Sequence, residues 1–430
     1  MGFRKMTRPV SVIGVGATQF GDVLETPEMK GLSWMDLGAW AAYEALEDAG
    51  MNPRDVGHLA VAAITGPFYL NETVAANNTM REQIGMKFAS STFHTEACGA
   101  AFVAFTDAVD AVASGRVDVA MALSPEVSRN CAAPDMPPCY LWPASEYKNL
   151  YGRDFLGADK AFDTSYNRWT GGWIIGMDVP FREYIRKTGI TLDEMEQAMI
   201  GQTITQREHG EHNPIAQERM TWQQVAESRG FKTDREYLTS KFNPKISEYL
   251  RPAYFALQND GAVAVIVCAT DVAHKYKQKP IEIVGLVQCD LSSEYTKTKS
   301  QLTKEAIRQL YENTGYKPED IEFVEIGETG MCEEMNAAEE IGYLPEGEGW
   351  KYYRDGLTRF DKEKPMNTSA ASISVGHAFS ATDLLYPREI VLQMRGQAGA
   401  RQIPKPPKVS LLRGIGGGMS CVAAIFRTLD

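Results

Sequence analysis

The sequence is poor in the residues that build disulfide frameworks and metal sites. Its 430 residues include only six histidines and seven cysteines, and no two cysteines form a CxxC pair. An odd number of scattered cysteines argues against a disulfide framework or an internal zinc ribbon and is typical of reduced thiols in the cytoplasm. We therefore expect a cytoplasmic protein with no metal site of its own and with one or two chemically active thiols at most.

Long apolar runs and an excess of positive charge are also missing. No apolar stretch reaches the length of a membrane span, and the first residues lack the apolar core of a signal peptide. The net charge of −12 argues against a nucleic-acid surface. We expect neither a membrane nor a nucleic acid as a partner. The composition is otherwise globular, and the length suits two or three domains.

An internal repeat is the clearest sign of organisation. Gly-Met-Asn-Pro-Arg-Asp at 50–55 matches Gly-Tyr-Lys-Pro-Glu-Asp at 315–320 in its glycine, proline and final aspartate. Glycine after the last helical turn and proline just beyond it end helices for steric reasons. An apolar, strand-like segment follows each copy, at 59–64 and at 321–326. The shared spacing indicates a duplicated unit.

Strand-like and helix-like segments alternate in both halves. In the first half they fall at 10–15, 34–49, 99–114 and 117–123, and in the second at 281–287, 300–314, 321–326, 379–395, 408–413 and 420–427. This alternation predicts an α/β protein with a largely parallel, buried sheet in each half.

A long middle segment separates the two halves. We expect an N-terminal half at 1–128, a substrate-covering helical subdomain at 129–255 and a C-terminal half at 256–430, with the strand at 262–270 assigned to the first half. A structureless loop of this length would be unusual. The middle segment is rich in aromatic residues: Tyr140, Trp142, Tyr147, Tyr151, Phe155, Phe162, Tyr166, Trp169 and Trp173.

The first candidate for chemistry is Cys98, which stands where a strand ends and an apolar helix begins. A thiol at a helix N-terminus lies near the positive end of the helix dipole, which stabilises the thiolate. Thiolate is the form that attacks an acyl thioester. Taken alone, a single cysteine is more often buried packing.

Two further features lie in the second half. The run 367–378, Asn-Thr-Ser-Ala-Ala-Ser-Ile-Ser-Val-Gly-His-Ala, packs small residues before His377, and small residues let a backbone approach a ligand closely. The glycine loop 414–419 lies between two apolar strands. No helix follows it, so a nucleotide-phosphate loop is not indicated, and a tight hairpin explains it equally well.

In this order, the three features resemble the thiolase superfamily, and the resemblance covers essentially the whole chain. The middle segment resembles thiolases of the sterol-carrier-protein type at 211–216, 251–252 and 259–264. The family fold implies two fused βαβαβαββ halves in αβαβα layers with an inserted helical loop domain. The resemblance also implies an acyltransferase with coenzyme A as co-substrate and no covalently bound cofactor. Cys98 is then the nucleophile, His377 its base, and the backbone N–H groups of Cys98 and Gly416 an oxyanion hole.

The sequence departs from the family pattern at several positions. Ala378 follows the histidine where proline is usual, and Gly327 replaces the polar residue that helps to hold the thioester oxygen. Gly414 stands where many members have a second catalytic cysteine. Cys332 and Cys421 lie near the two usual positions of that cysteine, but we interpret both as core residues. The group that protonates the enolate is not evident, and Glu328 is the candidate.

These departures, with the aromatic middle segment, resemble the large subunits of benzoylsuccinyl-CoA thiolases. The resemblance implies cleavage of (S)-2-benzoylsuccinyl-CoA by CoA to benzoyl-CoA and succinyl-CoA. It also implies a homodimer of this chain working with a small zinc-ribbon and OB-fold subunit. The substrate carboxylate needs a cation, because an unpaired buried charge is costly. Candidates for that cation in the middle segment are Arg153, Arg168 and Arg182.

Two other functions stay open at this point. One is a thiolase for acetoacetyl-CoA or another aliphatic 3-oxoacyl-CoA. The other is a non-catalytic relative that binds acyl-CoA or lipid, which the missing second cysteine favours and the retained Cys98 and His377 disfavour. A ketoacyl synthase is disfavoured, because its usual pair of catalytic histidines is not evident in the second half.

Overall fold

The computed structural model describes residues 6–64, 75–96, 98–127, 178–256, 258–290, 299–327, 330–416 and 420–429. The strands in these ranges form one nine-stranded sheet in the order β3-β2-β4-β5-β1-β6-β9-β8-β7. The strands are β1 Val10–Ala17, β2 His58–Ala62, β3 Ser90–His94, β4 Val119–Glu126, β5 Gly261–Ala269, β6 Ile281–Asp290, β7 Phe323–Gly327, β8 Val409–Gly416 and β9 Ser420–Thr428.

The sheet is mixed, so the prediction of two largely parallel sheets was wrong. Only β2 with β3, β2 with β4, and β7 with β8 pair in parallel. Strands β5 and β9 each return between two strands of the opposite direction and make antiparallel pairs with both. A buried apolar strand has the same composition in either direction, and therefore the segments themselves did not reveal these reversals.

The two halves of the sheet repeat one topology. The first half has the order β3-β2-β4-β5-β1 and the second the order β7-β8-β9-β6, with a parallel bridge from Val324 to Met366 in the place of a further edge strand. Antiparallel pairing of β1 with β6 over three residues joins the halves. Each half therefore follows the βαβαβαββ order, and the duplicated α/β architecture is confirmed.

The helices repeat with the strands. Helix α1, Trp34–Ala49, and helix α8, Lys299–Thr314, begin and end 265 residues apart, and the short turns Pro53–Asp55 and Pro318–Asp320 keep the same spacing. The other helices are α2 Ala76–Ile84, α3 Ala100–Ala113, α4 Asp178–Thr188, α5 Leu192–Glu211, α6 Trp222–Ser228, α7 Asp234–Leu238, α9 Met331–Ile341, α10 Gly349–Arg354 and α11 Leu385–Arg395.

Glycines set how closely α1 and α8 approach their strands. A side chain on Gly14 would overlap the Ala45 carbonyl, and one on Gly285 would overlap the Thr314 side chain. Both glycines lie at a shift of register, next to an extra residue in the strand. The same bulge and the same close helix therefore occur in both halves, which supports a duplication.

The middle segment contributes helices α4 to α7 between residues 178 and 238. Strand β5, which follows it, pairs with β4 and β1 and so lies among the strands of the first half. Helix α3 is buried over most of its length and contacts strands of both halves. The helix that follows Cys98 is therefore enclosed by the two halves. In the described ranges, no helix is both long and apolar enough to cross a membrane.

Candidate active site

Cys98 lies in the short connection between β3 and α3, as the sequence predicted. The side chain is half-buried, and α3 begins two residues later with Gly99 as an N-cap that offers no side-chain oxygen. Asp383 instead accepts the backbone N–H groups of Ala101 and Phe102. Burial raises the pKa of Asp383, which favours a neutral cap. A neutral cap leaves the positive end of the helix dipole to act on the thiol.

His377 and Cys98 meet across 279 residues of sequence. His377 Nε2 lies 3.3 Å from Cys98 Sγ. Burial lowers the pKa of His377 to about 4, and therefore the imidazole is neutral at pH 7 and Nε2 can accept the thiol proton. The second ring nitrogen, Nδ1, is buried and has no hydrogen-bond partner among the described residues. The structure thus contains a nucleophile and a base within reach of each other.

The backbone around His377 is fixed by the strand-like stretch that precedes β5. Gln258 forms a parallel bridge with His377, and the Asn259 side chain donates to the Val375 carbonyl at 2.6 Å. Gly376 has a φ of 104°, and a side chain there would overlap the Asn259 amide. Glycine is required at 376 on both grounds, and Asn259 positions the histidine.

Ser374, one of the small residues before His377, packs against helix α5. Ser374 lies so close to Gly210 of α5 that a side chain on that glycine would overlap it. The Ser374 hydroxyl donates to the Gln206 carbonyl at 3.0 Å. The segment is therefore pressed onto helix α5, and small side chains permit the approach.

Asn367 holds the start of the same segment to the sheet. The residue has a φ of 48°, and its side chain accepts the Ile326 N–H at 2.6 Å and donates to the Ile326 carbonyl at 3.0 Å. The Asn367 carbonyl accepts from Nδ1 of buried His209 at 3.1 Å, and His209 Nε2 accepts the Phe360 N–H at 3.1 Å. His209 is therefore neutral, and burial lowers its pKa to about 4.

Gly416 and the Cys98 backbone are in close contact. A side chain on Gly416 would overlap Gly99, and one on Gly99 would lie 3.0 Å from the Gly416 Cα. The two backbone segments predicted to form an oxyanion hole therefore lie side by side next to the thiol. Backbone N–H groups held rigidly in such a place can stabilise a tetrahedral oxyanion.

Phe102 occupies the space beside Gly414. A side chain at Gly414 would overlap the Phe102 ring, and a side chain at Gly327 would lie 2.7 Å from the same ring. The position where the family resemblance implied a second cysteine is therefore filled by an aromatic side chain from α3. Cys332 and Cys421 are buried core residues, as predicted, and burial raises the pKa of the Cys332 thiol.

The structure describes only one of the remaining predicted site residues, Arg182. Glu328, Arg153 and Arg168 lie outside the described residues, as do the aromatic residues named for the middle segment. Arg182 lies on α4 with an exposed side chain, and its contact with a substrate carboxylate stays a prediction. No three His, Cys, Asp or Glu side chains among the residues with described positions are arranged to hold a metal ion.

A group of polar residues near Cys98 was not predicted from the sequence. The Ser420 hydroxyl lies at hydrogen-bond distance from the carboxyl groups of Glu96 and Asp290. Glu96 lies two residues before Cys98, and this position in the sequence could have identified it as a candidate site residue. Ser420 and Asp290 come from other strands, so only the fold brings them to this place.

Comparison with known proteins assigns the chain to a family. The thiolase N-terminal domain matches residues 10–132, and the thiolase C-terminal domain-like family matches residues 288–428. The two ranges together take in more than half of the chain. The chain therefore belongs to the thiolase family of acyltransferases, whose members use coenzyme A as a substrate.

Two curated relatives match nearly the full length. Acetyl-CoA acetyltransferase of Methanothermobacter thermautotrophicus is 26% identical over 97% of this chain and 99% of its own length. Benzoylsuccinyl-CoA thiolase subunit BbsB of Thauera aromatica is 28% identical over 96% of each. Among solved structures, the Ltp2-ChsH2(DUF35) aldolase has a TM-score of 0.72 at 21% identity and covers 98% of both chains. That last likeness is one of fold.

Proposed function

We propose that this chain is a catalytically active thiolase in which Cys98 carries the acyl group and His377 activates it. The observation that carries the proposal is the 3.3 Å contact between Cys98 Sγ and a neutral imidazole. A non-catalytic acyl-CoA-binding relative would have no use for a neutral base placed against a half-buried thiol. The adjacent Gly416 backbone supports the same reaction, because acyl transfer passes through a tetrahedral oxyanion.

The reaction follows from the chemistry of these groups. His377 takes the Cys98 proton as the sulfur attacks the 3-oxo carbon of the acyl-CoA. The carbon–carbon bond breaks, which leaves an acyl thioester on Cys98 and the enolate of the shorter acyl-CoA. The enolate takes up one proton, and free CoA gives up its thiol proton as its sulfur attacks the acyl-Cys98 thioester. Cys98 then leaves and regains its proton from His377. The oxyanion of each step faces the backbone N–H groups of Cys98 and Gly416, and one such donor is worth roughly 3 kcal/mol.

We propose (S)-2-benzoylsuccinyl-CoA as the substrate, with benzoyl-CoA and succinyl-CoA as products. Support comes from the relative in Thauera aromatica, which is similar over nearly the full length.

A thiolase acting on acetoacetyl-CoA or another aliphatic 3-oxoacyl-CoA is the second candidate. The observation in its favour is the archaeal relative, which is an acetyl-CoA acetyltransferase. Initial rates of CoA-dependent cleavage of benzoylsuccinyl-CoA and of acetoacetyl-CoA distinguish the two. We expect the larger kcat/KM on benzoylsuccinyl-CoA. Rapid cleavage of acetoacetyl-CoA with none of benzoylsuccinyl-CoA would favour the aliphatic enzyme.

We further propose a cytoplasmic homodimer of this chain that works with a small zinc-containing subunit. The support is the subunit designation of the bacterial relative and the two-component title of the aldolase of similar fold. Zinc that copurifies with the activity should remain with the small chain when the two are separated. A fully active and metal-free homo-oligomer of this chain would contradict the proposal.

A further inference from the structure

Two carboxyl groups meet at one hydroxyl beside the active site. Ser420 Oγ lies within hydrogen-bond distance of Glu96 Oε1 and 2.5 Å from Asp290 Oδ1. A serine hydroxyl has a single proton and can donate it to only one of the two. The second contact is favourable only when the other carboxyl carries a proton of its own and donates to the serine oxygen. The group of Glu96, Ser420 and Asp290 therefore retains one extra proton.

That proton belongs on Glu96. Glu96 is half-buried, and burial raises its pKa most; the Ser420 hydroxyl and His94 lower that pKa and the charge of Asp290 raises it, with a net rise. Asp290 is exposed to solvent and accepts a further hydrogen bond from the Gln288 amide at 3.1 Å. The arrangement resembles other carboxyl pairs that share a proton because two close negative charges are unfavourable.

The protonated carboxyl lies on the Cys98 side of the sheet end. The Glu96 carbonyl accepts the Gly99 N–H at 3.0 Å, and Glu96 is joined to Cys98 by a backbone bridge. Ser420 pairs across the β8–β9 hairpin with Gly416, which contacts the Cys98–Gly99 backbone. The acid therefore stands at the same edge as the thiol and the oxyanion donors.

The usual place for a second acid–base group is closed. Phe102 fills the space beside Gly414, and Cys332 and Cys421 are buried in the core. Among the described residues, Glu96 and Asp383 are carboxylic acids near Cys98 with a raised pKa, and Asp383 already accepts the Ala101 and Phe102 N–H groups, which leaves Glu96. The cleavage reaction requires a proton donor for the enolate. A thiolase that lacks the second cysteine must use another group as that donor.

We propose that Glu96 is the catalytic acid of this enzyme, kept in its protonated form by burial and by the neighbouring Asp290 carboxyl. The inference rests on the proposed thiolase reaction. When the carbon–carbon bond breaks, its electron pair passes to the α-carbon of the departing acyl-CoA, and the Glu96 proton is transferred to that carbon. The resulting Glu96 carboxylate then takes the thiol proton of the incoming CoA, whose sulfur attacks the acyl-Cys98 thioester. Glu96 ends protonated, and the proton balance of the cycle is complete.

The pH dependence follows from the charged groups that face Glu96. Asp290 from β6 and Asp383 before α11 are acidic neighbours, and His94 from β3 is the basic one. Because the acid form of Glu96 is the active one, thiolysis is lost as the pH rises through its pKa. Asp290→Asn removes a negative neighbour and a competitor for the Ser420 proton, so this variant should lose thiolysis at a lower pH than the wild type does.

Glu96→Gln tests the inference, with exposed Glu319→Gln as the matched control. We expect Glu96→Gln to reduce thiolytic kcat by at least about 100-fold while iodoacetamide still labels Cys98 at the wild-type rate. Glu319→Gln should change neither quantity. Thiolysis by Glu96→Gln at a rate near that of the wild type would overturn the role of Glu96 and leave the thiolase proposal intact.

The pH profile of Asp290→Asn provides a second test that needs no substitution of Glu96. If the rate of thiolysis by Asp290→Asn falls at a lower pH than the rate of the wild type does, the inference is supported. If the rate falls at the same pH in both proteins, the inference is overturned. A different result would overturn the thiolase proposal itself: a wild-type protein that cleaves no 3-oxoacyl-CoA and forms no acyl-Cys98. The role of Glu96 as the acid would then be overturned as well.

Discussion

At the scale of single residues, the chemistry depends on protonation states that burial sets. His377 is neutral at pH 7 because desolvation of its half-buried ring lowers its pKa to about 4. The thiol next to it is therefore activated by proton transfer during attack rather than by a permanent ion pair. This distinction leads to a measurable difference in how Cys98 responds to pH.

We predict that His377→Asn slows alkylation of Cys98 near pH 7 and that raising the pH restores the rate. An isolated thiol has a pKa of about 8.5, so without its base it is mostly protonated at neutral pH. Iodoacetamide labelling followed across pH 5–10 measures the effect, with exposed His274→Asn as the matched control. Superimposable curves for wild type and His377→Asn would remove the histidine from this role.

At the scale of elements, the sequence predicted what local rules determine. Helix α1 begins and ends at the expected residues because Ser33 caps its start together with Asp36, and Gly50 ends it in a left-handed conformation with a φ of 67°. Cys98 was placed correctly because the strand-to-helix joint is visible in the sequence. Phe102 was missed, since nothing local shows that a ring on α3 reaches glycines on β7 and β8.

We predict that Gly414→Cys destabilises the protein by about 1–3 kcal/mol, because the new side chain overlaps the Phe102 ring. Introducing the family's usual cysteine should therefore not restore an ordinary thiolase site. The same substitution in a Phe102→Ala background should cost less, because the cavity left by the ring accepts the new side chain. Urea unfolding of the four proteins measures the coupling. Equal costs in both backgrounds would show that the ring does not fill this space.

At the scale of the whole molecule, the duplication was predictable and the pairing of strands was not. The matching turns at 50–55 and 315–320 revealed two equivalent halves, and both adopt the same strand order. The antiparallel returns of β5 and β9 depend on contacts between distant segments. The active site shares this non-local origin, because Cys98 comes from one half, His377 from the other, and Asn259 from the stretch that joins the middle segment to β5.

Two neutral histidines, buried His209 and half-buried His377, link the stability of the whole protein to pH. The folded-state pKa values of His209 and His377 are about 4, against about 6.5 in an unfolded chain. The unfolded state therefore binds more protons between these values, and the free energy of unfolding falls as the pH drops from 6.5 to 4. Each histidine contributes up to about 3 kcal/mol to this fall.

We predict that His209→Gln flattens the fall in the free energy of unfolding between pH 6.5 and 4, whatever its effect on stability at pH 7. The uncharged side chain cannot take up the proton that the unfolded wild-type histidine gains. Urea unfolding at a series of pH values gives the slope, and exposed His274→Gln should keep the wild-type slope. An unchanged slope in His209→Gln would show that His209 does not differ in pKa between the two states.

The most direct test of the account is to identify the residue that carries the acyl group. The protein is incubated with benzoyl-CoA or acetyl-CoA, quenched in acid and digested, and its peptides are weighed by mass spectrometry. We predict an acyl adduct on the peptide containing Cys98 that disappears when CoA is added, and no adduct in a folded Cys98→Ala variant. Turnover by Cys98→Ala, or an adduct on another residue that CoA removes equally fast, would contradict Cys98 as the nucleophile.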